Sequence, residues 1–287
     1  KLKQFTQEIR LSSTGSGPFQ WVVGGFYSDG DRKYEQTLPT IGGEEAQNLI
    51  LEILCFDESV ANQTCAEDAV DPADRVPFTA GDLTNGFAIN SPYNASLPYD
   101  IKQFAVFGEG SYDITDRLTA TAGARYYDFK EERRFTSGGL FANGDDQVDE
   151  TKSDGISPRL LLSYEATDNV TVNAQAAKGF RLGGVNDPLN LPLCTPEDEA
   201  IFGGYQSYDD ETLWNYELGV KSQGRGFTFN AAAFYTDISN LQVTLDAGSC
   251  SSRVVFNLPE AHTMGVEFGL AASPAGRVDL SLKRTWL

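Results

Sequence analysis

Strict two-residue alternation runs through most of this chain. Leu118, Ala120, Ala122, Ala124 and Tyr126 fall on one side of an extended backbone, and Thr119, Thr121, Gly123, Arg125 and Tyr127 on the other. Val170, Val172, Ala174 and Ala176 oppose Thr171, Asn173 and Gln175; Trp214, Tyr216, Leu218 and Val220 oppose Asn215, Glu217, Gly219 and Lys221. Met264, Val266, Phe268 and Leu270 oppose Thr263, Gly265, Glu267 and Gly269. Strand side chains alternate between faces, so each segment reads as a strand with one apolar and one polar face. A twelve-residue pattern also repeats: Ser111–Ala122 aligns with Ser163–Ala174, 52 residues on, with six of the twelve positions identical. In each copy a Tyr-ended strand meets Asp and Thr and a second strand leaves, the signature of a hairpin with a tight turn.

The alternation predicts ten strands, near 3–12, 19–30, 99–112, 117–132, 153–166, 170–179, 209–222, 226–245, 253–273 and 277–286. Short turns at 13–18, 113–116, 167–169, 223–225 and 274–276 hold Gly, Pro, Asp, Asn and Thr, which form turns for definite backbone reasons. Long connections at 31–98, 133–152, 180–208 and 246–252 fall between them, so all short turns lie at one end and all long loops at the other. A soluble sandwich has no reason to sort its loops in this way, whereas a membrane barrel has short turns on one side and long loops on the other. Several of these strands exceed the usual globular length and suit a tilted bilayer crossing. The expected fold class is all-β, an antiparallel transmembrane β-barrel segment. Leu118, Ala120, Ala122, Val170, Val172, Leu218 and Val220 should face lipid, with Asn173, Arg125, Arg159, Glu217 and Glu267 on the lumen wall. Aromatic residues near strand ends, among them Trp21, Phe26, Tyr27, Tyr112, Tyr126, Tyr127, Phe129, Tyr164, Trp214, Tyr216, Phe234 and Tyr235, read either as interfacial girdles or as ordinary strand formers.

Composition narrows the function classes. The net charge of −19 argues against nucleic acid as a partner, because phosphate contacts need a basic patch. A mean hydropathy of −0.32 argues for a soluble protein, but a barrel escapes that test because only alternate strand residues meet lipid. No apolar run approaches a spanning helix; Leu49 to Phe56 is broken by Glu52. The opening Lys-Leu-Lys-Gln lacks Met and the last residues stop within a strand, so the chain reads as a fragment. Residues 31–98 hold twelve acidic and three basic side chains, with Leu49, Ile50, Ile53 and Leu54 spaced as on a short helix. The loop cysteines, Cys55, Cys65, Cys194 and Cys250, suggest disulfides and an oxidising compartment. Closeness in one acidic stretch favours Cys55–Cys65, and hairpin adjacency favours Cys194–Cys250; pairing of Cys55 or Cys65 with Cys194 is the alternative.

Several segments resemble the TonB-dependent outer-membrane receptors. They are Phe5–Ser12 with Trp21–Tyr27; Phe104–Gly108, Tyr112–Thr119 and Ala122–Tyr126; Ser157–Leu160; and Ala177–Arg181 with Gly184 and Asn186. The most specific is Glu211–Gly219 with Lys221, continued by Phe234, Asp237, Asn240, Leu241–Val243 and Gly265–Glu267. The resemblance implies that residues 1–287 are about ten strands of a larger barrel, with the plug domain and TonB box absent from this chain. It implies an outer-membrane location in a Gram-negative bacterium and contact with outer-membrane lipid. It also implies coupling to the TonB complex through N-terminal parts outside the chain, and import of a scarce nutrient such as a ferric siderophore. The alternative is a passive porin or surface-binding barrel. Phe180, Arg181, Asn186, Tyr205 and Tyr208 are the expected ligand contacts, since Arg with aromatic rings suits an anionic aromatic ligand; the acidic loops argue mildly the other way. No enzyme, cofactor or metal reading emerges. His262 is the sole histidine and reads as structural or lumenal, and no phosphate-binding glycine loop occurs.

Overall fold

A computed structural model describes residues 1–56, 65, 75–224, 226–250, 252–273 and 280–286. Its strands are β1 (Leu2–Ser12), β2 (Phe19–Thr37), β3 (Asn94–Thr115), β4 (Leu118–Gly138), β5 (Asp146–Thr167), β6 (Val170–Arg181), β7 (Gly184–Val185), β8 (Ser207–Tyr208), β9 (Glu211–Gly224), β10 (Phe227–Asp246), β11 (Arg253–Ala272) and β12 (Leu280–Trp286). Helix α1 spans Gly43–Cys55 and α2 spans Pro196–Phe202. Ten strands form one antiparallel meander in the order β1-β2-β3-β4-β5-β6-β9-β10-β11-β12, and β7 pairs with β8 apart from it. Each strand neighbours the next, so the tight turns share one end and the long loops the other. The expected turn at 274–276 and residue 225 of the turn at 223–225 lie outside the described residues, as do 57–64 and 66–74 of the long acidic connection.

Following the ladder sideways defines the two faces. One row runs Trp21, Gly110, Ala122, Leu160, Ala176, Tyr216, Tyr235, Met264. Its apolar side chains stay open, with Leu160 60% and Leu218, one row below, 59% exposed. A row on the opposite face runs Thr119, Ser163, Asn173, Gly219, Ala232, Glu267, Thr285. Apolar surface left in contact with solvent on this scale is unfavourable in water and favourable in lipid. Among the described residues no second layer covers the apolar face of the sheet, which is made for hydrocarbon. His262 stands in the row above Met264 and stacks on Tyr235 at 6.0 Å, which puts it on the apolar face and corrects a lumenal reading. The aromatic residues divide by the same parity. Trp21, Tyr27, Tyr126 and Tyr235 share the apolar face, while Phe26, Tyr127 and Phe234 point to the polar one, because sequence neighbours in a strand cannot face the same way.

The strands continue well past the membrane band. β4 and β5 stay paired up to Thr136 opposite Asp146, so most of the expected loop 133–152 is ladder and the true turn is short. β2 likewise runs to Thr37 and β3 begins at Asn94, shortening the 31–98 connection. Alternation fails as a signal here because both faces are wet. Lys102, Lys130 and Lys152 lie directly opposite one another across three strands, an unfavourable arrangement for like charges. Asp100 relieves Lys102 at 3.1 Å, and Glu150 takes both Lys130, at 2.6 Å, and Lys152.

Candidate functional site: the polar wall and the loop crown

On the polar face, small residues at Gly219, Ala232 and Gly269 leave a concavity of ≈ 520 Å³. Arg159, Gln175, Glu217, Lys221, Glu267 and Lys283 surround it. Arg159 is held by Glu109 at 3.1 Å and by Gln175 at 3.0 Å. Arg125 lies over the rings of Phe26 and Phe107, at 5.4 and 5.9 Å from their centroids. Neither Glu217 nor Glu267 forms an ion pair with a described residue. The wall thus presents fixed charges of both signs to whatever fills the interior.

At the loop end the chain builds a crown with two small apolar clusters. Leu189, Ala247, Cys250 and Val254 form one, with Cys194 and Phe202 against it. Ala95, Leu97 and Phe135 form the other, beside Tyr93 and Tyr99. Two disulfides staple it, Cys55–Cys65 within one connection and Cys194–Cys250 between neighbouring loops, the pairings the sequence favoured. The second joins the connection between β6 and β9 to that between β10 and β11. Asp198 strengthens the same junction by accepting from the Ser249 backbone N–H at 2.8 Å and from its hydroxyl at 2.6 Å. Those bonds hold the Asp198 carboxyl below its usual range. Gly248, at φ 56, lies against Asp198 where a Cβ would collide with the carboxylate. Gly139, at φ 113, likewise lets Pro92 press on the β4–β5 tip.

Buried polar groups carry the rest. Arg133, with a side chain only 7% exposed, bonds Asp187 at 2.7 Å, Asp149 at 3.1 Å and the Asn186 carbonyl at 3.0 Å. Burial alone would weaken its charge, but Asp187 and Asp149 outweigh burial and raise its ionisation above the ordinary value. Gln242 Nε2 donates to Leu182 and Asp209 carbonyls, and Glu211 accepts from the Gln242 N–H at 2.8 Å. Unpaired, such groups would cost several kcal/mol (roughly 1–3 each for neutral ones). Paired, they fix one loop arrangement.

The residues expected to touch ligand separate under this geometry. Asn186 is 8% exposed, and its amide is committed: Nδ2 donates to the Tyr205 and Val255 carbonyls, and Oδ1 accepts from Val255 N–H. Phe180 stacks on Tyr127 at 3.7 Å. Tyr208 is half-buried against Gly184, and burial raises its hydroxyl above the usual range. Arg181 faces Glu211 at 3.9 Å and remains 58% exposed, and Tyr205 packs on Phe256 at 5.4 Å while staying open to solvent. Asn186 and Tyr205 meet at one hollow of ≈ 390 Å³; the other three do not line it.

A larger cleft went unread in the sequence. It measures ≈ 950 Å³ and is lined by Tyr34, Tyr93 and Phe141 on one side and Pro188, Leu193 and Arg253 on the other. Tyr34 could have been found by carrying the β2 alternation past Gly30; Phe141 and Arg253 carry no local signal.

A meander of long strands with one lipid-facing side, a charged inner side and stapled loops at one end defines an outer-membrane barrel wall. The sequence profile described as "TonB dependent receptor-like, beta-barrel" matches residues 12–287, and the chain belongs to that family. It is an outer-membrane protein of the Gram-negative type. The pesticin receptor of Yersinia enterocolitica is 26% identical over 187 residues, covering 62% of this chain and 26% of the receptor. The ferric yersiniabactin uptake receptor of Yersinia pestis superposes with a TM-score of 0.62 at 18% identity, over 99% of this chain and 35% of that one. A siderophore receptor of Acinetobacter baumannii gives 0.59 at 17%, over 99% and 38%. The chain therefore spans about a quarter of the length of the curated relatives it matches.

Proposed function

We propose that this chain is the wall and crown of a receptor that captures a ferric siderophore outside the cell and imports it with energy from the TonB complex. Contact with that complex would come through N-terminal parts outside these residues. The observation that carries the reading is the preassembled crown, set on a barrel wall of the receptor family. Two disulfides and the Arg133 network order the loops before any ligand arrives, which reduces the entropy lost on binding. Two structural neighbours, a ferric yersiniabactin uptake receptor and a siderophore receptor, support an iron-carrier cargo. Arg181, Tyr205 and Tyr208 are the proposed ligand contacts, with Phe180 and Asn186 holding the loop that presents them. Arg125, Arg159, Glu217 and Glu267 line the path behind. The test is uptake of radioiron complexes by cells expressing the full-length receptor, with and without TonB. TonB-dependent uptake is expected. Uptake that persists without TonB, or leakage of unrelated solutes, would favour a passive pore instead.

A further inference from the structure

The ≈ 950 Å³ cleft lies between two bonded blocks of the crown. Tyr34, Tyr93 and Phe141 belong to the block built from the described part of the 31–98 connection and the β4–β5 tip, which Asn85 ties together through the Ser137 and Asp145 carbonyls. Pro188, Leu193 and Arg253 belong to the block closed by Cys194–Cys250. The size is that of a small-molecule pocket, about 300–1,000 Å³. Three rings on one wall supply broad, stiff contact area for a ligand.

Acids outnumber bases around the cleft and the hollow beside it among the described residues. Residues 182–210 contain six acids and no Lys or Arg. Asp187 and Asp246 line the cleft, and its one lining cation among the described residues, Arg253, is engaged by Asp246 at 3.2 Å. The adjoining hollow shares Asp187 and adds Asp145, Asp149 and Glu199, with no basic lining residue among the described residues. Buried Arg133 pairs with Asp149 at 3.1 Å and Asp187 at 2.7 Å, so the excess negative charge at the hollow comes from Asp145 and Glu199. The Tyr93 hydroxyl reports the field: burial, then Asp187 and Asp145, push its ionisation up.

We infer that the cleft, as a recognition surface additional to the contacts proposed at Arg181, Tyr205 and Tyr208, selects cargo by charge, taking an uncharged or cationic ferric chelate held on Tyr34, Tyr93 and Phe141 and disfavouring a polyanionic one. Three hydroxamates, each singly negative, balance a ferric ion and leave an uncharged complex, which a pendant amine makes cationic. Three catecholates, each doubly negative, leave a triple negative charge that the acidic walls repel. The inference rests on the iron-carrier reading above and sharpens it to a class of carrier.

The experiment is calorimetric titration of the full-length receptor with three probes: an uncharged ferric tris-hydroxamate, an amine-bearing cationic one, and a ferric tris-catecholate. The hydroxamates should bind at least about tenfold more tightly. Added salt should weaken the cationic probe, leave the uncharged one unchanged, and strengthen any catecholate binding, because screening shrinks attraction and repulsion alike. Tyr34→Ala, at a half-exposed rim position, should weaken hydroxamate binding about tenfold, and Asp246→Lys should raise catecholate affinity by a similar factor. Tighter catecholate binding, or a Tyr34→Ala variant with unchanged affinity, would overturn the inference while leaving the siderophore reading standing. Binding of none of the three probes would count against both.

Discussion

Tyr126 and Arg133 sit seven residues apart on β4, yet different physics decides their surroundings. At Tyr126 the ladder parity settles the matter: the side chain shares a face with Val106 and Ile156 and meets lipid. At Arg133 parity says little. Its guanidinium is buried because Asp187 and Asn186, from a connection more than fifty residues away, fold over it. The spanning half of the sheet is a repeating structure in which lipid rewards every second residue, and no single contact matters much. The crown is a small globular structure with little apolar core, held by two disulfides and a few buried charged hydrogen bonds. The division follows from the surroundings: the wall needs only to stay in the bilayer, whereas the crown must hold its shape in water.

The largest effect that would test the contrast lies in the wall. Leu160→Arg, at the middle of the lipid-facing run from Ile156 to Tyr164, should cost about 2–4 kcal/mol, whereas Leu161→Arg on the polar face should cost far less. Urea titration of the full-length receptor in vesicles measures both, and equal costs would erase the distinction between faces. Next is the crown's covalent staple. Replacing Cys194 and Cys250 by Ser removes a bridge across 56 residues; about 2–4 kcal/mol is typical for such a link. Protease cleavage within 182–210 should speed up while the barrel itself stays folded. If the barrel unfolds too, wall and crown are one cooperative unit.

Arg133→Met should loosen the crown by about 1.5–3 kcal/mol, the range for hydrogen bonds to charged groups. Hydrogen exchange at residues 185–189 is the readout, and protection equal to the parent's would show that Asp149 and Asp187 do not need this partner. The smallest effect concerns acid. Hydrogen bonds from Lys130 and Lys152 hold the Glu150 carboxyl at about 2, against an ordinary 4.5. A lowered folded value means its contribution is complete above about 4.5 and is lost as pH falls toward about 2. These are exposed pairs, so the loss is slight. Exchange at the β4–β5 tip should rise over that window and not at pH 5–7.

The alternation and the ordering of short and long connections were enough to read the wall. They identified its ten strands, its two faces and the side on which Arg159, Glu217 and Glu267 stand. Period-two patterning survives in sequence because lipid imposes it locally, residue by residue. The α1 helix and both disulfide pairings were legible for similarly local reasons, a helical spacing and the adjacency of hairpin loops. The ribbon of β4 and β5 beyond the membrane was not, since a strand wet on both faces has no pattern to show. Nor was the fate of Asn186, which the sequence offers as a ligand contact and the fold uses as a tie between Tyr205 and Val255. The pairing of Arg133 with Asp187 and the cleft between Tyr34 and Arg253 join residues 54 and 219 positions apart. Only the closure of the loops over one another brings them together, because long-range polar contacts depend on where several connections end in space and leave no mark on their neighbours in sequence.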